Sequence, residues 1–354
     1  LGFLNFFLQN NFIENRNINN TSMKSLFFVL MLCVSVLAVN AQEVEKSFAE
    51  LKNEGNAALT NKEFPKALEL FEKALVKWGN QPVVDSTMIY NMGYCALSSK
   101  NYEKAVKYFD QVIAMNAMKI NAMFGKADAL KALNNSAESI KTLELASSIA
   151  PADAKVTTKL TSAYTSEGNN AIKNKEFPKA LEFYEKALAK IGDKPIADTS
   201  MIYNMGYCAM SAKNYEKALK YFDQAIALNY KKVNAMVNKA DIYRLTKNNV
   251  ESLKALEAAY AVKADDPKVL SKLASYYVGE ANSFYAKGSA VINKVNDQIK
   301  AGKLKTTDEP YKLAEKQAAE EFKQALPLAE KALSYDPANA GAKQIKTVCE
   351  QAIK

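Results

Sequence analysis

The stretch Met88-Ile89-Tyr90-Asn91-Met92-Gly93-Tyr94-Cys95 returns as Met201-Ile202-Tyr203-Asn204-Met205-Gly206-Tyr207-Cys208. A second stretch, Glu63-Phe64-Pro65-Lys66-Ala67-Leu68-Glu69, returns as Glu176-Phe177-Pro178-Lys179-Ala180-Leu181-Glu182. Both pairs are offset by 113 residues. Two matches at one offset mean that a long block is duplicated. A duplicated block made of shorter helical units is the signature of a stacked repeat array.

Inside each block the spacing is helical. Gly55, Ala67, Phe71 and Ala74 are separated by 12, 4 and 3 residues. Gly93, Ala105, Phe109 and Val112 repeat those intervals, as do Gly168, Ala180, Tyr184 and Ala187, and Gly206, Ala218, Phe222 and Ala225. The last three of each set share one helix face. Small residues let a neighbouring helix approach, and the aromatic ring fills the gap. Pro65 and Pro178 suit the first turn of a helix, where a missing N–H costs little.

This pattern resembles the tetratricopeptide repeat, a helix–turn–helix unit of about 34 residues. The resemblance implies an all-α fold, an α-solenoid of about seven such repeats winding into a right-handed superhelix. Units fall at 48–85, 86–119, 120–153, 161–198, 199–232 and 233–266. They make a first block of three repeats over 42–160 and its duplicate over 161–270. Pro151 and Pro337 stand where the family places its closing proline. The third unit of each block departs from the pattern: Ala127 and Ala240 replace the glycine, and Ser139 and Ser252 replace the alanine. Residues 271–354 read as an atypical last repeat with elongated helices, a polar insert at about 289–310 and a capping helix from Ala338. An open solenoid end needs such a cap to stay soluble.

The N-terminal end reads differently. Met23-Lys24 is followed by an apolar run from Leu26 to Val39 and then Asn40-Ala41-Gln42. A cation, a short apolar run and small residues before a cut describe a secretory signal peptide over 23–41. The run is shorter than the ~20 residues of a membrane-spanning helix. Residues 1–22 read as upstream sequence outside the protein proper, so the mature chain is expected to begin at Gln42 with no stable membrane span. An exported bacterial protein, periplasmic or associated with the outer membrane, is the expectation.

Composition narrows the function classes. Net charge is +9, almost all from Lys; Arg244 is the one Arg after residue 41. The Lys residues alternate with Glu and Asp at helical spacing, as a solvated face does. Nucleic-acid readers favour Arg for its bidentate fork, so no nucleic-acid partner is expected. The chain contains no histidine. That removes histidine triads, histidine-bound zinc and the commonest general base. No phosphate-cradling loop and no metal-ligand spacing is present, so no enzyme activity, cofactor or metal is expected. Cys95 and Cys208 occupy one position in two copies and read as small buried thiols rather than a bridge.

In this family the first helix of each unit lines a concave groove. By resemblance, Tyr90 and Tyr94 face it in the second unit, and Tyr203 and Tyr207 in the fifth. Each pair is spaced i, i+4, which sets both rings on one face. Tyrosine offers broad apolar contact with a polar tip. The polar neighbours are Asn56, Asp128 and Lys131 in the first block, and Asn169, Asp241 and Arg244 in the second. Some members clamp a peptide carboxylate with Lys and Asn on two units and a basic pair on the third. Lys52, Asn56 and Asn91 match the first part, but Asn121 and Gly125 stand where the basic pair belongs, and Thr165 replaces Lys52 in the second block. The leading expectation is a non-catalytic scaffold of the cell envelope, holding a peptide or protein segment in the groove. One alternative is a structural component of an envelope complex, docking through its convex face or the C-terminal insert. The other is a binder of a glycan or small ligand between the paired tyrosines.

Overall fold

Fifteen helices and no strand are found among the described residues of the computed structural model, which are 46–79, 85–192 and 198–353. The expected signal peptide at 23–41 and the upstream segment 1–22 lie outside them. The helices are α1 Phe48–Thr60, α2 Phe64–Trp78, α3 Ser86–Ser98, α4 Tyr102–Ala114, α5 Lys119–Ala132, α6 Ser136–Ile149, α7 Ala154–Lys173, α8 Phe177–Ile191, α9 Thr199–Ser211, α10 Tyr215–Ala227, α11 Lys232–Leu245, α12 Asn249–Val262, α13 Pro267–Lys300, α14 Glu309–Tyr335 and α15 Ala340–Ile353. The fold is an all-α solenoid of helix pairs. The chain divides into two compact units, one ending at Thr142 and one beginning at Leu143.

Helix boundaries follow from caps. Ser47 and Glu50 form a reciprocal capping box at the start of α1. Asp85, Asp153, Asp198 and Asp266 accept backbone N–H groups at the starts of α3, α7, α9 and α13. Asn101, Asn214 and Asn248 do the same for α4, α10 and α12. Several turns within a pair pass through one left-handed residue, among them Lys62, Lys100, Lys175, Lys213 and Lys247. That single residue reverses the chain between two helices.

In the first unit each helix from α1 to α5 packs on the next, and α3 also touches α5. The core runs through Leu51, Phe71, Met92, Phe109 and Ala122, all buried. Its recurring contact is a glycine under an aromatic ring. A Cβ on Gly55 would lie 2.7 Å from the Phe71 ring, and one on Gly93 2.8 Å from Phe109. Neither glycine has a positive φ, so close approach rather than backbone freedom demands it here. The second unit repeats the contact at Gly168 with Tyr184 and Gly206 with Phe222. The departures in the third units have a structural reason. Ser139 donates to the Ala127 carbonyl at 2.7 Å, and Ser252 to that of Ala240 at 2.9 Å. A hydroxyl-to-carbonyl bond joins the two helices where Leu143 and Leu256 replace the ring.

Neighbouring repeats are also joined by side chains. Glu72 on α2 accepts from Tyr108 and Lys104 on α4, at 2.7 and 2.6 Å. Glu185 on α8 accepts from Tyr221 and Lys217 on α10, at 3.0 and 2.6 Å.

Two boundaries differ from the sequence reading. The block boundary set between 160 and 161 falls inside α7, because the Asp153 cap starts that helix at Ala154. The stretch 289–310 is not a loop along its length: α13 continues to Lys300 and α14 begins at Glu309. Gly288 sits against Phe322, 2.7 Å from a notional Cβ, so the glycine–aromatic contact recurs here too. These partners lie 34 residues apart in sequence, against 16 for Gly168 and Tyr184. Of the 18 extra residues, 7 lengthen α13 beyond its glycine and 6 lengthen α14 before its ring, compared with α7 and α8. Two turns of α-helix take ~7 residues, so α13 grows by about two turns and α14 by about one residue less. The closing helix α15 packs on α13 and α14. Among the described residues no helix is long and apolar enough to cross a membrane.

Candidate functional site

Tyrosine pairs recur on the first helices of the repeats, and the two copies place them alike. Tyr94 is 44% exposed and meets Phe64 edge-on at 5.8 Å. Tyr207 is 39% exposed and meets Phe177 edge-on at 5.7 Å. Large rings left this open are informative when a partly buried ring braces each from behind. Tyr90 and Tyr203 lie deeper, each edge-on to a core ring at 5.7 Å, Phe109 and Phe222 respectively. Burial, with Tyr94 adding to it, raises the Tyr90 phenol above its ordinary range.

In the second unit these side chains line an open pocket of about 520 Å³ between α7 and α9. Its walls are Asn169, Ile172, Lys173, Tyr203, Asn204 and Tyr207. Asn169, Tyr203 and Tyr207 were expected from the sequence; Ile172, Lys173 and Asn204 were not. Behind the wall stands Tyr184, fully buried. Its hydroxyl donates to Asn169 Oδ1 at 2.6 Å and receives a long 3.5 Å contact from Asn204 Nδ2. Burial pushes its phenol up to about 12, so it remains a donor at neutral pH. The two carboxamides are thereby oriented from the core side. The first copy has Phe71 at this position and lacks that hydroxyl.

Tyr203 is more constrained than Tyr90. Its hydroxyl accepts from Asn238 Nδ2 at 3.1 Å. Tyr230 packs edge-on to it at 6.1 Å, and Lys231 Nζ lies 4.8 Å from its ring centre. The corresponding first-copy residues are Gly125, Ala117 and Met118.

The remaining expected residues stand apart from the pocket walls. Asp241 is ion-paired with Lys272 at 2.5 Å, which leaves its charge compensated. Arg244 is exposed in the last turn of α11. In the first unit Asn56 is half-buried, while Asp128 and Lys131 are exposed on α5. Lys52, the cation of the incomplete carboxylate clamp, is paired with Asp85 at 2.5 Å. The cysteines are not reactive features: Cys95, Cys208 and Cys349 are buried and unbridged, and burial pushes the first two thiols to about 11 and about 12. Among the described residues no group of three His, Cys, Asp or Glu side chains is placed to hold a metal ion.

The only signal that could have found Tyr184 and Lys173 is difference between copies. Phe71 becomes Tyr184 and Thr60 becomes Lys173 within otherwise similar segments.

Models of the tetratricopeptide repeat match this chain over residues 86–117 and 120–153, and over 203–268. Among solved structures, a TPR repeats protein from Bacteroides fragilis is 22% identical, with 86% of this chain and 98% of that one covered and a TM-score of 0.36. A tetratricopeptide repeat protein from Parabacteroides merdae is 12% identical at the same coverage and TM-score. The C-terminal part of a TPR repeat-containing protein from Cytophaga hutchinsonii is 16% identical, covering 83% and 98% of the two chains at a TM-score of 0.37. The repeat matches, rather than these partial superpositions, make the assignment.

Proposed function

We propose that this chain, which belongs to the tetratricopeptide-repeat family, is a non-catalytic interaction scaffold that holds an extended segment of a partner protein against the first helices of its second block. Repeats of this family support a protein-interaction role. The observation that carries the finer reading is the pocket of about 520 Å³ where Tyr203, Tyr207, Asn169 and Asn204 converge. That size falls in the usual range of ligand clefts, about 300–1,000 Å³. Its groups are held before any ligand arrives, by Phe177 behind Tyr207 and by Tyr184 behind the amides. Side chains ordered in advance lower the entropy cost of binding. Carboxamides suit an extended backbone, because each can donate to a carbonyl and accept from an N–H.

The reading places the scaffold in the cell envelope. Support comes from the Lys24 cation, the apolar run Leu26–Val39 and the small residues that follow. N-terminal sequencing of the protein from fractionated cells tests it: a chain beginning at Gln42 outside the cytoplasm is expected, and one retaining residues 23–41 in the cytoplasm overturns it.

Crosslinking and co-purification test the binding site. A partner recovered with the native chain is expected to be lost with Tyr203→Ala/Tyr207→Ala and retained with Tyr90→Ala/Tyr94→Ala, at unchanged helicity. A partner held by both variants, yet lost when the α13–α14 hairpin is shortened, would move docking to that hairpin, where Leu313 is exposed.

A further inference from the structure

The two copies of the block differ in charge at the groove. Lys173 lines the pocket, and Lys231 lies over the Tyr203 ring at 4.8 Å. Lys173 thus shares the pocket wall with Tyr203, and Lys231 covers the ring of that same tyrosine. Both side chains are exposed, and neither has a carboxylate within ion-pair distance among the described residues. Most other lysines near the repeat faces are compensated: Lys179 pairs with Glu176, Lys186 with Glu182, Lys217 with Glu185, Lys239 with Asp223 and Lys272 with Asp241. The first copy has Thr60 and Met118 in place of the two lysines. Lys52 is neutralised by Asp85 at 2.5 Å, while Lys131 and its counterpart Arg244 give each copy one further exposed cation. The second copy thus carries two uncompensated cations, one in the pocket wall and one over Tyr203, at positions where the first copy has Thr60 and Met118.

Lys231 is also placed by the backbone. It is the left-handed residue that precedes α11, with φ 44°, and no side chain caps the first-turn N–H groups of that helix. Those groups reinforce the positive potential around Lys231.

We propose that the pocket of the second block is specific for an acidic segment, with side-chain carboxylates of the bound peptide held by Lys173 and Lys231 while Tyr203 and Tyr207 take its apolar side chains. This rests on the groove-binding reading above and adds the chemistry of the occupant. The first block, with Thr60, Met118 and Phe71, has no such preference. Lysine suits the task as a point charge on a flexible stem, able to meet carboxylates at varied positions along an extended chain. Steering by two free cations also speeds encounter with an anionic segment, an effect that added salt suppresses.

The test is selection of a displayed library of random dodecapeptides on the mature protein, followed by affinity measurements on the enriched peptides. Acidic sequences are expected. Their affinity should fall at least tenfold with Lys173→Glu/Lys231→Glu, and likewise between low and high salt. With Thr60→Glu/Met118→Glu it should change less than twofold. Circular dichroism of each variant shows that the helices are kept. Peptides without acidic excess, or acidic peptides bound equally by the Lys173→Glu/Lys231→Glu protein, overturn the proposal. If those peptides are still lost with Tyr203→Ala/Tyr207→Ala, the groove reading stands without the acidic preference. If the tyrosine variant also binds them, or nothing is enriched, both readings fall.

Discussion

The first and second blocks share a skeleton and differ in its furnishing. Gly93 beneath Phe109 and Gly206 beneath Phe222 give the same approach, 2.8 Å from a notional Cβ to the nearest ring atom. The exposed tyrosines sit edge-on to their bracing rings at 5.8 and 5.7 Å. Around that common frame the second block adds a hydroxyl at Tyr184, an amide at Asn238 and cations at Lys173 and Lys231. The first block has Phe71, Gly125, Thr60 and Met118 there. Duplication copied the residues that set helix distances. Most of the changes fall at or behind the groove; Gly125 is the exception in the skeleton, since a Cβ there would lie 2.3 Å from Phe109 and the second copy has Asn238 in its place.

The comparison breaks most readily at the glycines. Gly93→Ala and Gly206→Ala are each expected to cost about 2 kcal/mol or more, since the facing rings are buried and cannot retreat. Urea unfolding of the two variants should give the same loss to within about 0.5 kcal/mol. A large inequality would mean that the skeletons are not equivalent. Tyr184→Phe comes next, at about 1 kcal/mol for the lost hydrogen bond. It should also weaken peptide binding by freeing Asn169 and Asn204. The mirror variant Phe71→Tyr should gain neither stability nor affinity unless Asn56 turns to accept the new hydroxyl.

The clamps between repeats set a pH dependence common to both blocks. Burial and the hydrogen bond to Glu72 raise the Tyr108 phenol well above its ordinary value, and burial with Glu185 does so for Tyr221. A folded pKa above the unfolded one contributes stability that is complete below the unfolded value, ~10 for tyrosine, and fades as pH rises beyond it. Melting temperature should therefore decline above pH ~10, and Tyr108→Phe and Tyr221→Phe should each flatten the decline. At the acid end, burial works against the Glu72 carboxylate, but Lys104 and Tyr108 together hold its pKa below the ordinary value. Its contribution is present above pH ~4.3 and lost as pH falls, so Glu72→Gln should flatten the acid limb. The smallest effect concerns the turns. Lys62→Gly and Lys175→Gly relieve a left-handed lysine, at φ 61° and 60°, and should change stability by less than about 1 kcal/mol, equally in both copies.

Much of the skeleton is legible in the sequence, because Gly, Ala and aromatic residues at fixed intervals report where helices touch. The start of α7 is less so. Asp153 is an evident cap in hindsight, accepting from Lys155 and Val156, yet repeat spacing alone assigns it to the link between blocks. The extent of helix within the polar insert is not legible, because Lys, Asn and Gln between 293 and 303 suit a solvated helix as well as a loop. At the candidate site, Tyr203, Tyr207 and Asn169 are found by looking for what the blocks share. Tyr184 and Lys173 escape that search because they are what the blocks do not share. Tyr203 donating space to Lys231 and accepting from Asn238 depends on the fold bringing α9, α10 and α11 together, which no local spacing encodes.

The elongated hairpin carries its own arithmetic. Its extra 7 residues on α13 amount to nearly two whole turns, while the extra 6 on α14 fall about one residue short of two. A helix advances ~100° per residue, so seven residues return a face to within about 20° of its starting direction. Val295, Ala314 and Ala318 can then continue the buried seam that Gly288 and Phe322 begin. The arm can be trimmed or lengthened in steps of about seven residues per helix and will zip closed each time. A step of five would leave the two seams facing away from each other. Its length is in effect quantised, like a ladder that can be cut only between rungs.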